Sequence, residues 1–297
     1  MYTLSNHMLT DNPTIVVVGC GGTGGYVSEG LCRLFTGREA SIVLVDHDRV
    51  EPHNLLRQHF YAGDVGEFKA KVLAERLSRQ YHRTIGYSIY PIQKFEMQQG
   101  RREVQLTIGC VDNPAARRDI ASKVSRSGWW VDAGNGETWG QVLVGNVRQK
   151  QDMEASFLKA EERCLGLPVP TVQMPDLLHR VPEARPDLDC AAALDLTDQD
   201  PTINQFMSSL VLQVVRRLVA GTCPWMGLYL ALDQGTVTPV FATPETAAKA
   251  MRVRVAKLFD TRCGRCREYH ALREWVDHRL VPMPEPVEGR QVPAEAE

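Results

Sequence analysis

Gly19, Gly21 and Gly24 stand in the stretch IVVVGCGGTGG, residues 15–25, as GxGxxG directly behind a β-branched apolar run and ahead of a helical pattern. Glycine at these positions permits a tight turn and lets backbone N–H groups approach a phosphate near a helix N-terminus. Asp46 closes the next apolar run, where a carboxylate can receive ribose hydroxyls. Together they predict a nucleotide or dinucleotide site and leave NAD and ATP both open. A tight packing turn without a ligand is the competing reading, and the order strand, loop, helix, acid favours the site.

The following segment, VDHDRVEPHNLLRQHFYAGDVGEFKAK at residues 45–71, separates the two nucleotides. A dehydrogenase has no need of an Asn, an Arg and a Lys in fixed order after its ribose acid. A triphosphate carries about four negative charges that call for cations. Arg57 can fork onto phosphate oxygens, Lys69 can supply a point charge, and Asn54 lies between the ribose acid and both. Then GCVDNPAARR, residues 109–118, puts Asp112 and Asn113 at the end of another apolar run, where doubly wound folds bind their ligands. A carboxylate there can hold Mg2+ against phosphates.

These residues need a sheet to bring them together, and the pattern supplies one. Strands are expected at 14–19, 41–46, 85–90, 105–110 and 129–133, with helices at 25–35, 67–81 and 114–127. Strand and helix alternate, so the expected fold is α/β, a doubly wound, mostly parallel Rossmann-like sheet. Residues 149–200 break the rhythm with prolines at 168, 170, 175, 182 and 186, and read as a mobile crossover. An apolar helix over 202–219 follows Pro201, and GLYLALDQGTVTPVFATP then reads as a β-hairpin turning at Asp233, Gln234 and Gly235. The division expected is 1–242 for the Rossmann-like nucleotide domain, crossover included, and 243–297 for a small helical appendage around CGRC with a disordered, Pro- and Glu-rich tail.

With 34 Lys and Arg against 36 Asp and Glu, the formal net charge is −2, which excludes a bulk electrostatic footprint for nucleic acid or anionic membrane. No apolar run approaches the roughly 18 residues of a membrane span, and the opening MYTLSNHMLTDNPT lacks a signal-peptide pattern. The chain reads as cytoplasmic, and its 8 cysteines as thiols or ligands rather than staples.

GCGGTGG, VDHDRVEPHNLLRQ, DVGEFKA and CVDNPAARR, in this order, resemble the ThiF/MoeB/HesA superfamily, which includes the activating enzymes of ubiquitin-like proteins. The likeness spans residues 14–148 and resumes over 190–241. MYTL, LLRQHFYAGDVGEFKA and GCVDNPAARR look closest to the ThiF-like proteins of the bacterial PRTRC systems. The resemblance implies ATP over Gly19, Gly21, Gly22 and Gly24, with Asp46 on the ribose. It implies phosphates held by Asn54, Arg57 and Lys69 beside Asn113, and Mg2+ on Asp112. The implied reaction joins the C-terminal carboxylate of a small β-grasp protein to the α-phosphate of ATP, which asks for positioning and charge stabilisation rather than a protein nucleophile. The family also implies a homodimer, for which helix 202–219 and the hairpin are candidate surfaces, and in some members a conjugating enzyme as a further partner. Some members reach the partner's ATP with an N-terminal Arg, and no Arg precedes Arg33 in this chain. Adenylation without a thioester, an inactive nucleotide-binding partner subunit and an NAD oxidoreductase are the rival readings, and for the last no catalytic pair is recognisable.

Family members carry a cysteine comparable to Cys190 before the equivalent helix, and some use it for a thioester or persulfide. A helix N-terminus stabilises the thiolate, Asp187, Asp189 and Asp195 oppose it, and a buried small hydrophobe is the alternative. Cys20 and Cys110 read as core residues. Cys263 and Cys266, in TRCGRCREYH, are half of a zinc site. Zinc-bearing members place a first CxxC ahead of the Cys190 equivalent, where this chain has AEERCLG. Cys164, Cys263 and Cys266 thus offer three corners for a structural Zn2+, with His270, Glu161 or another residue as the fourth, against a pair of free thiols on an appendage.

Overall fold

The computed structural model describes residues 1–6, 9, 12–95, 104–124, 128–179 and 202–259. Its strands are β1 (Thr3–Leu4), β2 (Thr14–Val18), β3 (Ser41–Val45), β4 (Ile85–Ser88), β5 (Leu106–Gly109), β6 (Trp129–Asn135), β7 (Trp139–Gly145), β8 (Phe157–Leu158), β9 (Arg163–Cys164), β10 (Trp225–Ala231) and β11 (Thr236–Phe241). Its α-helices are α1 (Gly22–Leu34), α2 (Lys69–Tyr81), α3 (Pro114–Lys123), α4 (Pro170–Gln173), α5 (Ile203–Val219) and α6 (Pro244–Met251).

The main sheet runs in the order β11-β10-β7-β6-β5-β2-β3-β4. From β6 to β4 the neighbours are parallel, and from β6 to β11 they are antiparallel. The expected α/β, mostly parallel, doubly wound sheet is therefore present, with an antiparallel extension that includes the hairpin. Strand β7 was not legible in the pattern, because glycines at 140 and 145 and Gln141 interrupt the apolar run WGQVLVG. Nevertheless, β6 presents its free edge to β7, and the pairing from Trp130↔Gly145 to Asn135↔Gly140 satisfies both backbones.

Alternation along each strand divides the core. Ile15, Val17, Ile42, Leu44 and Ile108 face one layer with α1, α2 and α5. Val16, Val18, Val43 and Val45 face the other with Ile120 and Ala121 of α3. The apolar stripe of α5, through Ile203, Met207, Val211, Val214 and Leu218, is wholly buried in this core. The stripe itself is spent on α1 and the sheet, and Phe206, 47 % exposed, is the large apolar side chain on the remaining face of this candidate dimer helix.

Two boundaries differ from expectation. Residues 149–179 are not structureless, since β9 pairs with β1 and β8, α4 starts at Pro170, and Leu167 and Val169 are buried. The opening TL and the Arg163–Cys164 pair supply each other's backbone partners there, which no local periodicity reveals. Residues 244–259 also belong to the first unit, which runs Met1–Thr261 with a second unit at Arg262–Glu297. Ala247, Ala248, Met251 and Leu258 are buried in the main core, and fully burying Met251 or Leu258 stabilises by about 1.5–3 kcal/mol each. Residues 180–201 and 260–297, with Cys190, Cys263, Cys266 and His270, lie outside the described residues. Among the described residues no helix is long and apolar enough to cross a membrane.

Candidate functional site

The parallel strands β2, β3 and β5 are adjacent, and the loops leaving their C-terminal ends carry the glycines, Asp46 and Asp112. Two glycines bring these loops within backbone contact. Gly19 has φ +88°, and a Cβ on it would stand 2.4 Å from the Cys110 carbonyl oxygen, while a Cβ on Gly24 would stand 1.8 Å from the Gly19 carbonyl oxygen. Only glycine permits this approach. Gly19 N–H donates to the Val45 carbonyl at 2.9 Å, tying the loop to the end of β3.

Asp46 completes the tie. Its Oδ2 accepts the Cys20 N–H at 2.6 Å and its Oδ1 accepts the Asp48 N–H at 2.8 Å, and the residue is 9 % exposed. Burial raises its carboxyl above the ordinary range, against the pull of those two N–H groups and of Lys69. Asp46 is thus both a loop anchor and a carboxylate with lone pairs left over for a ribose hydroxyl.

The N-terminus of α1 has no side-chain cap and no acid in its first turn, so it keeps its attraction for an anion. Beside it, the buried Oε1 of Gln58 has no hydrogen-bond partner among the described residues and lies 3.6 Å from where a Gly21 Cβ would be. An open glycine edge, an uncapped helix and an unsatisfied buried amide fit a nucleotide.

Lys69 opens α2 and is 8 % exposed, its N–H donating to the Asp48 carbonyl at 2.9 Å and its Nζ standing 3.3 Å from Asp48 Oδ2. Asn54 is buried in the short helix Pro52–Leu56, and its Oδ1 accepts the Glu51 N–H at 3.0 Å, which leaves its Nδ2 for a ligand. Arg57 closes that helix, and its carbonyl accepts from Asn204 Nδ2 at 3.3 Å.

Asp112 is exposed just beyond β5, and its Oδ1 accepts from Asn113 Nδ2 at 3.4 Å. A single exposed carboxylate fits Mg2+, which binds through one or two carboxylates plus phosphates. Asn113 has a second duty as the N-cap of α3, its Oδ1 accepting the Ala116 N–H at 2.8 Å.

Cys20 and Cys164 are buried and Cys110 partly so, and burial pushes all three thiols up. Cys164 Sγ donates to the Gly166 carbonyl at 3.3 Å. Cys164 is the one corner of the expected zinc site among the described residues, since Cys263 and Cys266 lie outside them.

Two features escaped the sequence reading. Arg117 Nε donates to Asp132 Oδ2 at 3.1 Å beneath α3, and burial pushes the Asp132 carboxyl up to about 6 against the pull of Arg117. Asn204 is the other. A polar residue on the buried stripe of an apolar helix was its one signal.

This chain is similar to several known proteins. Ubiquitin-like modifier-activating enzyme 5 from Dictyostelium discoideum is 31 % identical over 163 residues, 50 % of this chain and 41 % of that protein. The Drosophila mojavensis enzyme of the same name is 28 % identical over 199 residues, 62 % and 46 % of the two chains. The chain thus spans less than half the length of these relatives. Among solved structures, Escherichia coli MccB with ATP superposes with a TM-score of 0.53 at 17 % identity, covering 80 % of this chain and 65 % of MccB. PaaA gives a TM-score of 0.53 at 14 % identity, covering 80 % and 75 %, and both likenesses concern the fold. The model of the ThiF family matches residues 9–255, nearly the whole of the described structure, and this chain belongs to that family.

Proposed function

We propose that this chain is an ATP-dependent activating enzyme that adenylates the C-terminal carboxylate of a small β-grasp protein of the ubiquitin-like or sulfur-carrier class. The observation that carries the reading is the convergence at the C-terminal ends of β2 and β3 of an uncapped helix N-terminus, the Asp46-anchored glycine loop and the Asp48-tethered Lys69. Membership of the ThiF family supports it, as does the capture of MccB, a fold relative, with ATP.

A carboxylate oxygen of the partner attacks the α-phosphorus. An O–P bond forms, the bond from that phosphorus to the bridging oxygen breaks, and pyrophosphate leaves with the electron pair. Backbone N–H groups at Gly21, Gly22 and Gly24 receive phosphate oxygens, while Gly19, its own N–H held by the Val45 carbonyl, gives the loop its close turn. Arg57 and Lys69 balance the charge that builds on the leaving group, Asn54 and Asn113 add donors, and Asp46 holds the ribose. Asp112 would hold Mg2+, which when bound neutralises phosphate charge. Phosphate competes with Asp48 for Lys69 Nζ, so the cation is kept at the site before the nucleotide arrives.

Cys190 then takes the acyl group as a thioester and releases AMP. The chain works as a homodimer, the 149–200 segment, which is paired and partly buried over 149–179, covers or threads the carrier protein's C-terminal tail, and a conjugating enzyme receives the acyl group. Adenylation alone, as for a sulfur carrier, is the second reading, favoured by Asp187, Asp189 and Asp195 around the cysteine.

ATP–pyrophosphate exchange with candidate β-grasp proteins encoded beside the gene tests the proposal, with Asp112→Ala as control. Carrier-dependent exchange that Asp112→Ala abolishes is expected. Exchange that needs no carrier and survives the substitution overturns it. Cys190→Ala should keep exchange and lose a thiol-sensitive carrier linkage, and keeping that linkage removes the thioester step.

A further inference from the structure

Three segments of the site meet at one side chain. Asn204, in the first turn of α5, is 6 % exposed, and its Nδ2 donates to the Arg57 carbonyl at 3.3 Å. Its Oδ1 lies 3.3 Å from Thr23 Oγ1, and that hydroxyl is also 3.4 Å from Asn135 Oδ1 at the end of β6. The Arg57 carbonyl can only accept, which turns the amide nitrogen toward it and leaves Oδ1 for the Thr23 hydroxyl. Gly22 provides the room, since a Cβ there would stand 2.4 Å from Asn204 Nδ2.

An asparagine that merely fills space in a helix could be replaced at modest cost by leucine, which has the same branching. Asn204 is differently placed. Its polar partners are the first turn of α1, which follows the glycine loop, and the main chain of the residue that carries the guanidinium. Its neighbours on the buried face are the apolar Ile203 and Met207 and Ser208, whose hydroxyl donates to the Gln205 carbonyl at 2.8 Å. The amide therefore fixes the distance between the helix N-terminus that would receive the phosphates and the backbone from which Arg57 reaches them.

We propose that Asn204 is a positioning residue of the adenylation site, which holds Arg57 and the first turn of α1 in one geometry from a helix more than 140 positions further along the chain. The inference rests on the ATP reading above. It adds that the nucleotide site is completed by α5, the helix that follows Cys190 in sequence, so substitutions there reach the adenylation step without touching ATP.

The test uses Asn204→Leu, Thr23→Val and the double variant, in the full chain. Amide hydrogen exchange over residues 54–60 and 22–26 reads the latch directly and needs no activity, so it stands even if no carrier supports exchange. Faster exchange in both windows is expected for Asn204→Leu. In ATP–pyrophosphate exchange the KM for ATP should rise about tenfold, the equivalent of one hydrogen bond, with a melting temperature within a few degrees of wild type. The double variant should be no worse than Asn204→Leu, because both substitutions open one latch. Asn204→Asp, which sets an oxygen against the Arg57 carbonyl, should match Asn204→Leu. Unchanged protection in both windows, or additive losses in the double variant, overturns the proposal. Loss of ATP–pyrophosphate exchange in the wild type itself counts against the proposed function and leaves the protection test intact.

Discussion

Arg117 Nε stands 3.1 Å from Asp132 Oδ2, both side chains within the protein interior at 8 % and 0 % exposure. The pair lies between α3 and β6, directly behind the strand end that carries Asp112. Arg117→Met leaves a buried carboxylate without its counter-charge, which should cost about 3–5 kcal/mol. For a unit of this size that lowers Tm on the order of 10 °C.

The pH dependence of that loss has a definite sign. Burial holds the Asp132 carboxyl at about 6 in the folded chain, against about 4 when unfolded. Between these values the native state binds more protons, so this group's contribution to stability falls as pH rises. Removing Arg117 lifts the folded value further and extends the falling slope upward. The Tm deficit of Arg117→Met should therefore be largest at about pH 8 and shrink toward about pH 5, as calorimetry across that range would read. A deficit independent of pH would mean that Asp132 is not the group that titrates.

Gly21 and Gly24 should behave differently, although both belong to the same motif. A Cβ on Gly24 would lie 1.8 Å from a backbone oxygen that cannot yield, whereas on Gly21 it meets nothing closer than the Gln58 amide at 3.6 Å. Gly24→Ala should lower Tm by several degrees through about 2–3 kcal/mol of lost stability. Gly21→Ala should leave Tm within about 1 °C while weakening ATP binding about tenfold, because the methyl group occupies the approach to the phosphate. Thermal melts with calorimetric titration of ATP separate the two, and equal losses of stability would contradict the geometry.

Asp46→Asn tests the anchor. Both carboxylate oxygens accept main-chain N–H groups, from Cys20 and Asp48. An amide offers one oxygen, so its NH2 must face a donor, leaving a buried N–H unsatisfied at about 1–3 kcal/mol. The KM for ATP should rise by about 10- to 100-fold, and protection of the Cys20 amide against hydrogen exchange should fall with it. If protection is retained while KM rises, Asp46 acts on the ribose alone.

The part of the site that lies along the chain was legible in it. Gly19, Asp46, Lys69 and Asp112 each sit at an element boundary marked by glycine, proline or the end of an apolar run, and local pattern reports such boundaries. What was not legible depends on contacts between distant segments. Thr3–Leu4 finds Arg163–Cys164, Thr23 finds Asn204, and Arg117, inside a motif read for its neighbours, finds Asp132 on the next strand. The apolar stripe of α5 shows the same limit in reverse, since composition marks it for burial but cannot say whether α1 or a second chain covers it.

Asp112 offers the sharpest separation of chemistry from stability. It is exposed, and the adjacent Asn113 amide approaches its Oδ1 at 3.4 Å. Asp112→Ala should therefore leave Tm within about 1 °C. Carrier-dependent ATP–pyrophosphate exchange should fall at least about a hundredfold, because the carboxylate assigned to Mg2+ is gone. Asn113→Ala should do the opposite. Its Oδ1 caps α3 through the Ala116 N–H at 2.8 Å, and losing such a cap costs about 1 kcal/mol. Exchange in that variant should fall far less than in Asp112→Ala. Melting curves and exchange rates on both variants would reveal crossed effects, stability without activity in one and activity without full stability in the other. Parallel losses in both would mean that the Asp112–Asn113 turn serves α3 rather than a metal-bound nucleotide.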